Sequence, residues 1–192
     1  ISHFPANHYQ YPRHSIREVV RDNIRYRLDL SDAVDWYIYF GFRELSRMKL
    51  YSLIKKGDWI FDIGSNVGDV TLHAAKMVGE KGFVYAFEPD PTNFKRLSDN
   101  IGLNDFKNIK AINKGLGNRS GVAKMALART DNRGMVHMVD DHGKADAHTE
   151  VNITTLNEFV KAEPISRLDL LKIDTEGYEC YVLEGAREVI NK

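Results

Sequence analysis

The sequence predicts an α/β protein with a doubly wound, mostly parallel sheet. Short apolar segments of strand length alternate with segments whose apolar residues recur at helical spacing. Near-continuous apolar strands are typical of a parallel sheet that helices cover on both faces. Four such strands are predicted, at 59–63, 83–87, 109–112 and 168–173.

The segments between these strands predict the helices. Residues 67–78 and 179–190 have amphipathic spacing, and Asp90-Pro91 supplies an N-cap and a proline at the first position of a helix over 91–102. Between the third and fourth strands, two β-like pieces at 122–128 and 151–155 flank a polar loop at 136–149.

The chain before residue 57 has a different pattern. We expect residues 1–56 to form an N-terminal arm and helices, and residues 57–192 to form the main domain. Within the arm, a short helix is predicted at about 15–21. Ser31 or Asp32 can cap a second helix that ends near Gly41, and Gly57 would close a third over about 44–55.

Composition sets the broad class. The 192 residues are 43% hydrophobic, with 27 basic and 27 acidic side chains, so no overall field favours nucleic acid or an anionic membrane. A single cysteine, Cys180, fits a reducing compartment, and no apolar run is long enough to span a bilayer. These features predict a cytoplasmic protein.

The loop "DIGSNVGDV", residues 62–70, follows the first strand of the parallel sheet. Asn66 and Asp69 stand where a dinucleotide-binding motif needs glycine, and no Gly-Lys-Ser/Thr ending marks a phosphate loop. Gly64 and Gly68 are expected to let the backbone approach a ligand, while Asp62 and Asp69 favour a cationic one without phosphate. S-adenosylmethionine, which carries an ammonium and a sulfonium, fits that description.

The second strand ends in Phe87-Glu88-Pro89. An acid at this place can accept both hydroxyls of an unphosphorylated ribose. The alternative is that Glu88 only caps the loop before Pro91. The preceding glycine loop favours the ribose interpretation.

Three segments together resemble the FkbM-type methyltransferases, which have the class I S-adenosylmethionine-dependent fold. They are the stretch from "GDWIFDIGSNVGDV" through "FEPDP" to "NIGLN", then "TTLNEFV", and then "LLKIDTEGYECYVLEGA". The resemblance implies O-methylation of a hydroxyl, often on a sugar or a polyketide-like molecule. A class I sheet ordinarily has seven strands, so this sequence is expected to be a short version that lacks the C-terminal strands.

The resemblance also implies roles for individual residues. Glu88 would bind the ribose, Asn113 would lie by the adenine, and Asp174 and Glu176 would face the methyl-transfer centre. Glu44 matches a family acid that reaches the cofactor cleft. The loop residues implied to line the methionine and adenosine side are Asp62, Gly64, Ser65 (usually alanine in the family), Asn66 and Gly68.

Asp174 and Glu176 are the candidate catalytic residues. They lie two apart just beyond a buried strand, so in extended geometry both side chains leave on the same side. Paired carboxylates raise the proton affinity of one member, which suits a general base. One of the pair is therefore the base, or Asp174 binds the cofactor ammonium. Alternatively, Asp174 caps the Gly177 turn and Lys172 pairs with either acid.

The acceptor is expected to contact the region between the two β-like pieces. Arg129 and Asn132 lie in a segment that resembles the family's acceptor pocket, and His137 and His142 belong to the polar loop. This loop could hold a base or a divalent metal, but its spacing matches no metal motif, so no metal is predicted.

The predicted function is thus methyl transfer to a hydroxyl of a small molecule, a saccharide or glycolipid precursor. Two alternatives stay open. One is a nucleic-acid-modifying methyltransferase, which the neutral charge disfavours, and the other is a non-catalytic binding domain that keeps the cofactor fold. An uncovered sheet edge after the fourth strand would favour a homo-oligomer.

Overall fold

The predicted parallel sheet is present at the centre of the molecule. A computed structural model describes residues 5–42, 44–126, 138–139 and 148–191. The strands, numbered in chain order, are Trp59–Ile63 (β3), Phe83–Phe87 (β4), Ile109–Ile112 (β5) and Leu170–Ile173 (β10). They lie in the order β10-β3-β4-β5, and all are parallel. The sequence placed each of them within two residues.

Helices cover both faces of this sheet. Ile60 and Val84 pack on one face against α3 (Asp69–Val78). Phe61 and Phe87, one residue out of phase with them, pack on the other face against α5 (Leu156–Ala162) and α6 (Glu179–Gly185). The predicted helix over 91–102 is α4 (Pro91–Gly102), with the Asp90 side chain accepting from the backbone N–H of Asn93. The predicted 179–190 helix is divided at Ala186, so a short α7 follows (Arg187–Ile190).

The prediction of a helix at 15–21 is wrong. The N-terminal segment forms an antiparallel hairpin of β1 (Ile16–Arg21) and β2 (Ile24–Asp29). Asp22 and Asn23 both have positive φ, 49° and 59°, which suits the type I′ turn of a two-residue hairpin. Alternate residues of β2 are buried, namely Ile24, Tyr26 and Leu28.

Two helices follow the hairpin, so the extension is only partly helical. Asp32 caps α1 (Ala33–Phe40), which ends at Gly41 as predicted, and Gly41 has a left-handed conformation. The next helix, α2 (Leu45–Leu53), buries none of its residues and ends before Gly57, which lies in the turn that leads to β3. Gly57 is therefore not its C-cap.

The expected boundary at residue 57 crosses a shared hydrophobic cluster. Ile24, Tyr26 and Leu28 of the hairpin pack with Val67 and Leu72 of the main domain. An ion pair between Arg96 of α4 and the buried Asp35 of α1 adds a second connection. The arm is thus part of the support for α3 and α4.

A second, mostly antiparallel sheet lies between β5 and β10 in the chain. Its order is β6-β9-β7-β8, from Gly115–Leu116 (β6), Gly121–Ala126 (β7), Met138–Val139 (β8) and His148–Thr154 (β9). Both predicted β-like pieces belong to it, as β7 and β9. None of the described helices is long and apolar enough to cross a membrane.

Candidate active site

A cavity of about 710 Å³ opens beyond the carboxyl ends of β3, β4 and β10. This is where open parallel sheets bind ligands, at the place where strand order reverses. Residues of the glycine loop, of α2 and of the segment after β10 line it. The charged side chains in the wall are Glu44, Arg47, Asp69, Glu88, Lys114, Lys172, Asp174 and Glu176.

The two loop glycines are needed for packing as well as for backbone conformation. Gly64 has φ +78°, and a Cβ there would lie 1.9 Å from the carbonyl oxygen of Asp174. Gly68 has φ +96°, and a Cβ there would lie 2.7 Å from Cδ1 of Leu97. Protein atoms therefore already account for the absence of a Cβ at both positions. Gly64 lines the cavity and Gly68 does not, and the approach of a ligand to this backbone stays a prediction.

The charge argument for the loop also needs correction, and Asp62 does not line the cavity as the resemblance implied. Asp62 is fully buried. Its Oδ1 lies 3.0 Å from Nζ of Lys172, and its Oδ2 accepts from the Thr71 hydroxyl at 2.6 Å. Asp69 lines the cavity but is paired with Arg47. Neither carboxylate is an uncompensated negative charge for a cationic ligand.

Glu88, the predicted ribose ligand, lies in the cavity wall just after β4. Its Oε2 accepts from the backbone N–H of Asn66 at 2.8 Å, and its Oε1 accepts from that of Asp90 at 3.0 Å. Each oxygen keeps further acceptor capacity, and the side chain lines the cavity. Burial raises the pKa of Glu88 to about 7, although these two hydrogen bonds favour its charged form.

Asn113 lies near the predicted place but has a supporting contact. Its amide donates to the carbonyl oxygens of Glu88 and Pro89, at 2.8 and 3.0 Å. The neighbouring residues Lys114 and Gly115 line the cavity, whereas Asn113 is not among its lining residues. Asn113 thus fixes the turn that presents Glu88.

Asp174 and Glu176 both line the cavity, but not through an extended backbone. Glu176 has φ +53°, so the chain turns sharply after Asp174, and the same-side argument does not apply. Glu179 holds this turn, because its Oε1 accepts from the N–H groups of Thr175 and Gly177. The alternative in which Asp174 caps the Gly177 turn is therefore wrong, whereas Lys172 does lie 3.8 Å from Asp174.

The wall contributed by α2 was only partly foreseen. Glu44 lines the cavity as the resemblance implied, together with Ser46, Arg47 and Leu50. Arg47 pairs with Asp69 at the start of α3, and Asp69 also contacts His73, whose ring stacks on Tyr51 at 5.1 Å. Although burial opposes its charge, His73 and Arg47 hold the pKa of Asp69 below its usual value.

The predicted acceptor residues lie outside the described residues: Arg129, Asn132, His137 and His142. Their contribution to the site stays a prediction. Among the sequence-predicted residues that are described, the cavity wall includes Gly64, Ser65, Asn66, Glu88, Asp174 and Glu176.

The hydrogen-bond acceptors in the cavity wall fit the hydroxyl and ammonium groups of S-adenosylmethionine. Backbone N–H groups orient both carboxylate oxygens of Glu88, and each oxygen can still accept from a ribose hydroxyl. The cavity volume lies within the range of about 300–1,000 Å³ found for small-molecule sites. The exposed carboxylate of Asp174 can accept a hydrogen bond from the ammonium group of the cofactor.

Comparison with known proteins identifies the family of this chain. Residues 62–192 match the model of the methyltransferase FkbM domain. Two fungal relatives are methyltransferase sdnD of Sordaria araneosa (25% identical over 78% of this chain and 69% of the relative) and methyltransferase 1 of Beauveria bassiana (28%, over 77% and 67%). The hexuronic acid methyltransferase AglP of Haloferax volcanii is 29% identical over 68% of this chain and 51% of its own length.

The chain thus spans about two thirds of the fungal relatives and about half of the archaeal one. The family match covers the glycine loop, Glu88 and the segment after β10, which line much of the cavity, whereas the wall contributed by α2 lies before the matched residues. The protein belongs to the FkbM family of S-adenosylmethionine-dependent methyltransferases.

Proposed function

We propose that the protein methylates a hydroxyl of a small acceptor, a saccharide or glycolipid precursor. The observation that carries this proposal is one cavity whose wall holds Glu88, at the end of β4, and two carboxylates after β10, those of Asp174 and Glu176. The acceptor class is supported by the archaeal relative, whose name specifies a hexuronic acid. The single cysteine supports a reducing, cytoplasmic location.

Different residues of the chain bind the cofactor and activate the acceptor. When bound, S-adenosylmethionine supplies a methyl group on a positively charged sulfur. Glu88 orients the ribose, and the turn after β3 shapes the adjoining wall. Asp174 or Glu176 takes the proton from the acceptor hydroxyl, because a neutral hydroxyl is a weak nucleophile. Alignment of the two reacting centres contributes most of the remaining acceleration.

The base role predicts a loss of turnover without a loss of cofactor binding. Asp174→Asn or Glu176→Gln, whichever residue is the base, should lower kcat about 10²–10⁴-fold, the usual contribution of general base catalysis. Binding of S-adenosylhomocysteine should change much less for that variant. Steady-state kinetics and calorimetry measure the two quantities. If both variants keep the turnover of the unmodified protein, the base role is excluded.

The acceptor class is tested by methyl transfer from labelled S-adenosylmethionine to a panel of neutral sugars, uronic acids and glycolipid precursors. We expect at least one carbohydrate to be methylated in a way that depends on Asp174 or Glu176. Methylation of RNA, together with a salt-sensitive gel shift, would instead favour the nucleic-acid alternative. If the folded protein binds S-adenosylmethionine and methylates none of these compounds, the carbohydrate proposal is wrong.

A second proposal concerns assembly. Strand β10 pairs only with β3 among the described residues, so it is an edge of the central sheet. Edge strands present unpaired backbone groups to a partner. We therefore propose a homo-oligomer, which light scattering at several protein concentrations would detect.

A further inference from the structure

Lys172 is a largely buried lysine within a strand of the central sheet. It lies in β10 in register with Asp62 of β3, so the two side chains lie on the same face. The Lys172 side chain is 12% exposed, and its Nζ lies 3.0 Å from Oδ1 of Asp62, which is fully buried. A buried carboxylate of this kind needs a countercharge, because its desolvation is costly.

The same ammonium also contacts the cofactor turn. It donates to the carbonyl oxygen of Gly64 at 2.7 Å and to that of Ile63 at 3.3 Å. Oδ2 of Asp174 lies 3.8 Å away. One charged group therefore links the end of β3, the first residue of the turn and a candidate catalytic acid.

We infer that Lys172 is a positioning residue for the cofactor site, in addition to being the countercharge of Asp62. Its ammonium group holds the carbonyl groups of Ile63 and Gly64 in place. It also restrains the Asp174 side chain, which is 68% exposed. A binding site holds its ligand tightly only when its wall is already in the bound geometry. This inference rests on the proposed cofactor site.

A purely structural role would make a different prediction. If Lys172 only neutralised Asp62, it would be dispensable once Asp62 carried no charge. The two roles can therefore be separated in an Asp62→Asn background, where the amide keeps the size of the side chain and can still accept from Thr71. Asp62 does not line the cavity, so this substitution leaves the cavity wall in place.

The experiment compares D62N with D62N/K172M. Denaturant unfolding measures stability, and calorimetry measures the Kd for S-adenosylhomocysteine. We expect K172M alone to be less stable than the unmodified protein, because it leaves the Asp62 carboxylate without its countercharge. D62N/K172M should recover much of this lost stability. Binding by D62N/K172M should remain at least about tenfold weaker than binding by D62N, the effect of one lost charge-assisted contact. Binding within twofold of D62N would overturn the inference.

A second variant keeps the test decisive if the methionine variants do not fold. K172R retains the charge that Asp62 needs, but its planar guanidinium cannot reproduce the contacts of a compact ammonium. We expect near-normal stability with several-fold weaker binding, whereas unchanged binding would contradict the positioning role. If the unmodified protein does not bind S-adenosylhomocysteine, the cofactor site itself is wrong. Normal binding by both the unmodified protein and K172R refutes only the role of Lys172.

Discussion

Replacement of Glu88 by alanine is expected to weaken the binding of S-adenosylhomocysteine at least about hundredfold. The substitution removes both oxygens that would accept the ribose hydroxyls, and each hydrogen bond to a charged group contributes about 1.5–3 kcal/mol. Calorimetry measures the affinity directly. Glu80→Ala is the matched control, because Glu80 is an exposed glutamate outside the cavity. The affinity of this control variant for S-adenosylhomocysteine should be unchanged.

The raised pKa of Glu88 gives this prediction a pH dependence. The ribose hydroxyls donate to the ionised carboxylate, so affinity should fall as the pH drops below about 7, at a rate approaching tenfold per pH unit. Glu88→Gln should remove that slope. The stability of the free protein should change in the opposite direction. Because the folded-state pKa of Glu88 lies above its ordinary value of 4.5, the free energy of unfolding should fall as the pH rises from about 4.5 to 7. A slope that persists in the glutamine variant would place the titrating group elsewhere.

The second large effect is expected from Gly64→Ala. The new Cβ would lie 1.9 Å from the carbonyl oxygen of Asp174, so β3 and the segment after β10 would have to separate. The left-handed conformation of Gly64 adds about 1–2 kcal/mol for a residue with a Cβ. We expect a total loss of more than about 3 kcal/mol in the free energy of unfolding, together with loss of cofactor binding.

Gly57→Ala separates these two contributions. Gly57 also has positive φ, +89°, but nothing lies within 4 Å of the position of its Cβ. The Gly57→Ala variant should therefore lose only the cost of the left-handed conformation, about 1–2 kcal/mol in the free energy of unfolding, and keep its cofactor affinity. Equal losses in urea unfolding of the two variants would show that the close approach to Asp174 contributes nothing.

Local sequence patterns predicted the central sheet well, because each strand is an apolar run bounded by turn residues. Asp32 and Asp90 are caps that act on the next two or three residues, so their effect is readable locally. The hairpin was missed although its signals are present. Residues 24, 26 and 28 alternate with the exposed Arg25 and Arg27, and Asp22-Asn23 suits a two-residue turn. The first strand, Ile16–Arg21, has no such clear alternation of buried and exposed residues.

The chemistry of the site was predictable only in part. Glu88 and the Asp174–Glu176 segment follow strands directly, so their place at the sheet edge comes from topology alone. The pairing of Asp62 with Lys172 depends on which strands become neighbours, and these residues lie far apart in the chain. A lysine inside the apolar run "LLKI" was the available sign that a buried partner was required.

The ribose contact at Glu88 is tested most directly by a crystal structure of the protein with S-adenosylhomocysteine. We expect the nucleoside in the cavity beyond β3, β4 and β10, with both ribose hydroxyls within hydrogen-bonding distance of the Glu88 carboxylate. Density for the nucleoside at another place, or a ribose held by other residues while Glu88 keeps only its two backbone partners, would contradict the assignment of this cavity.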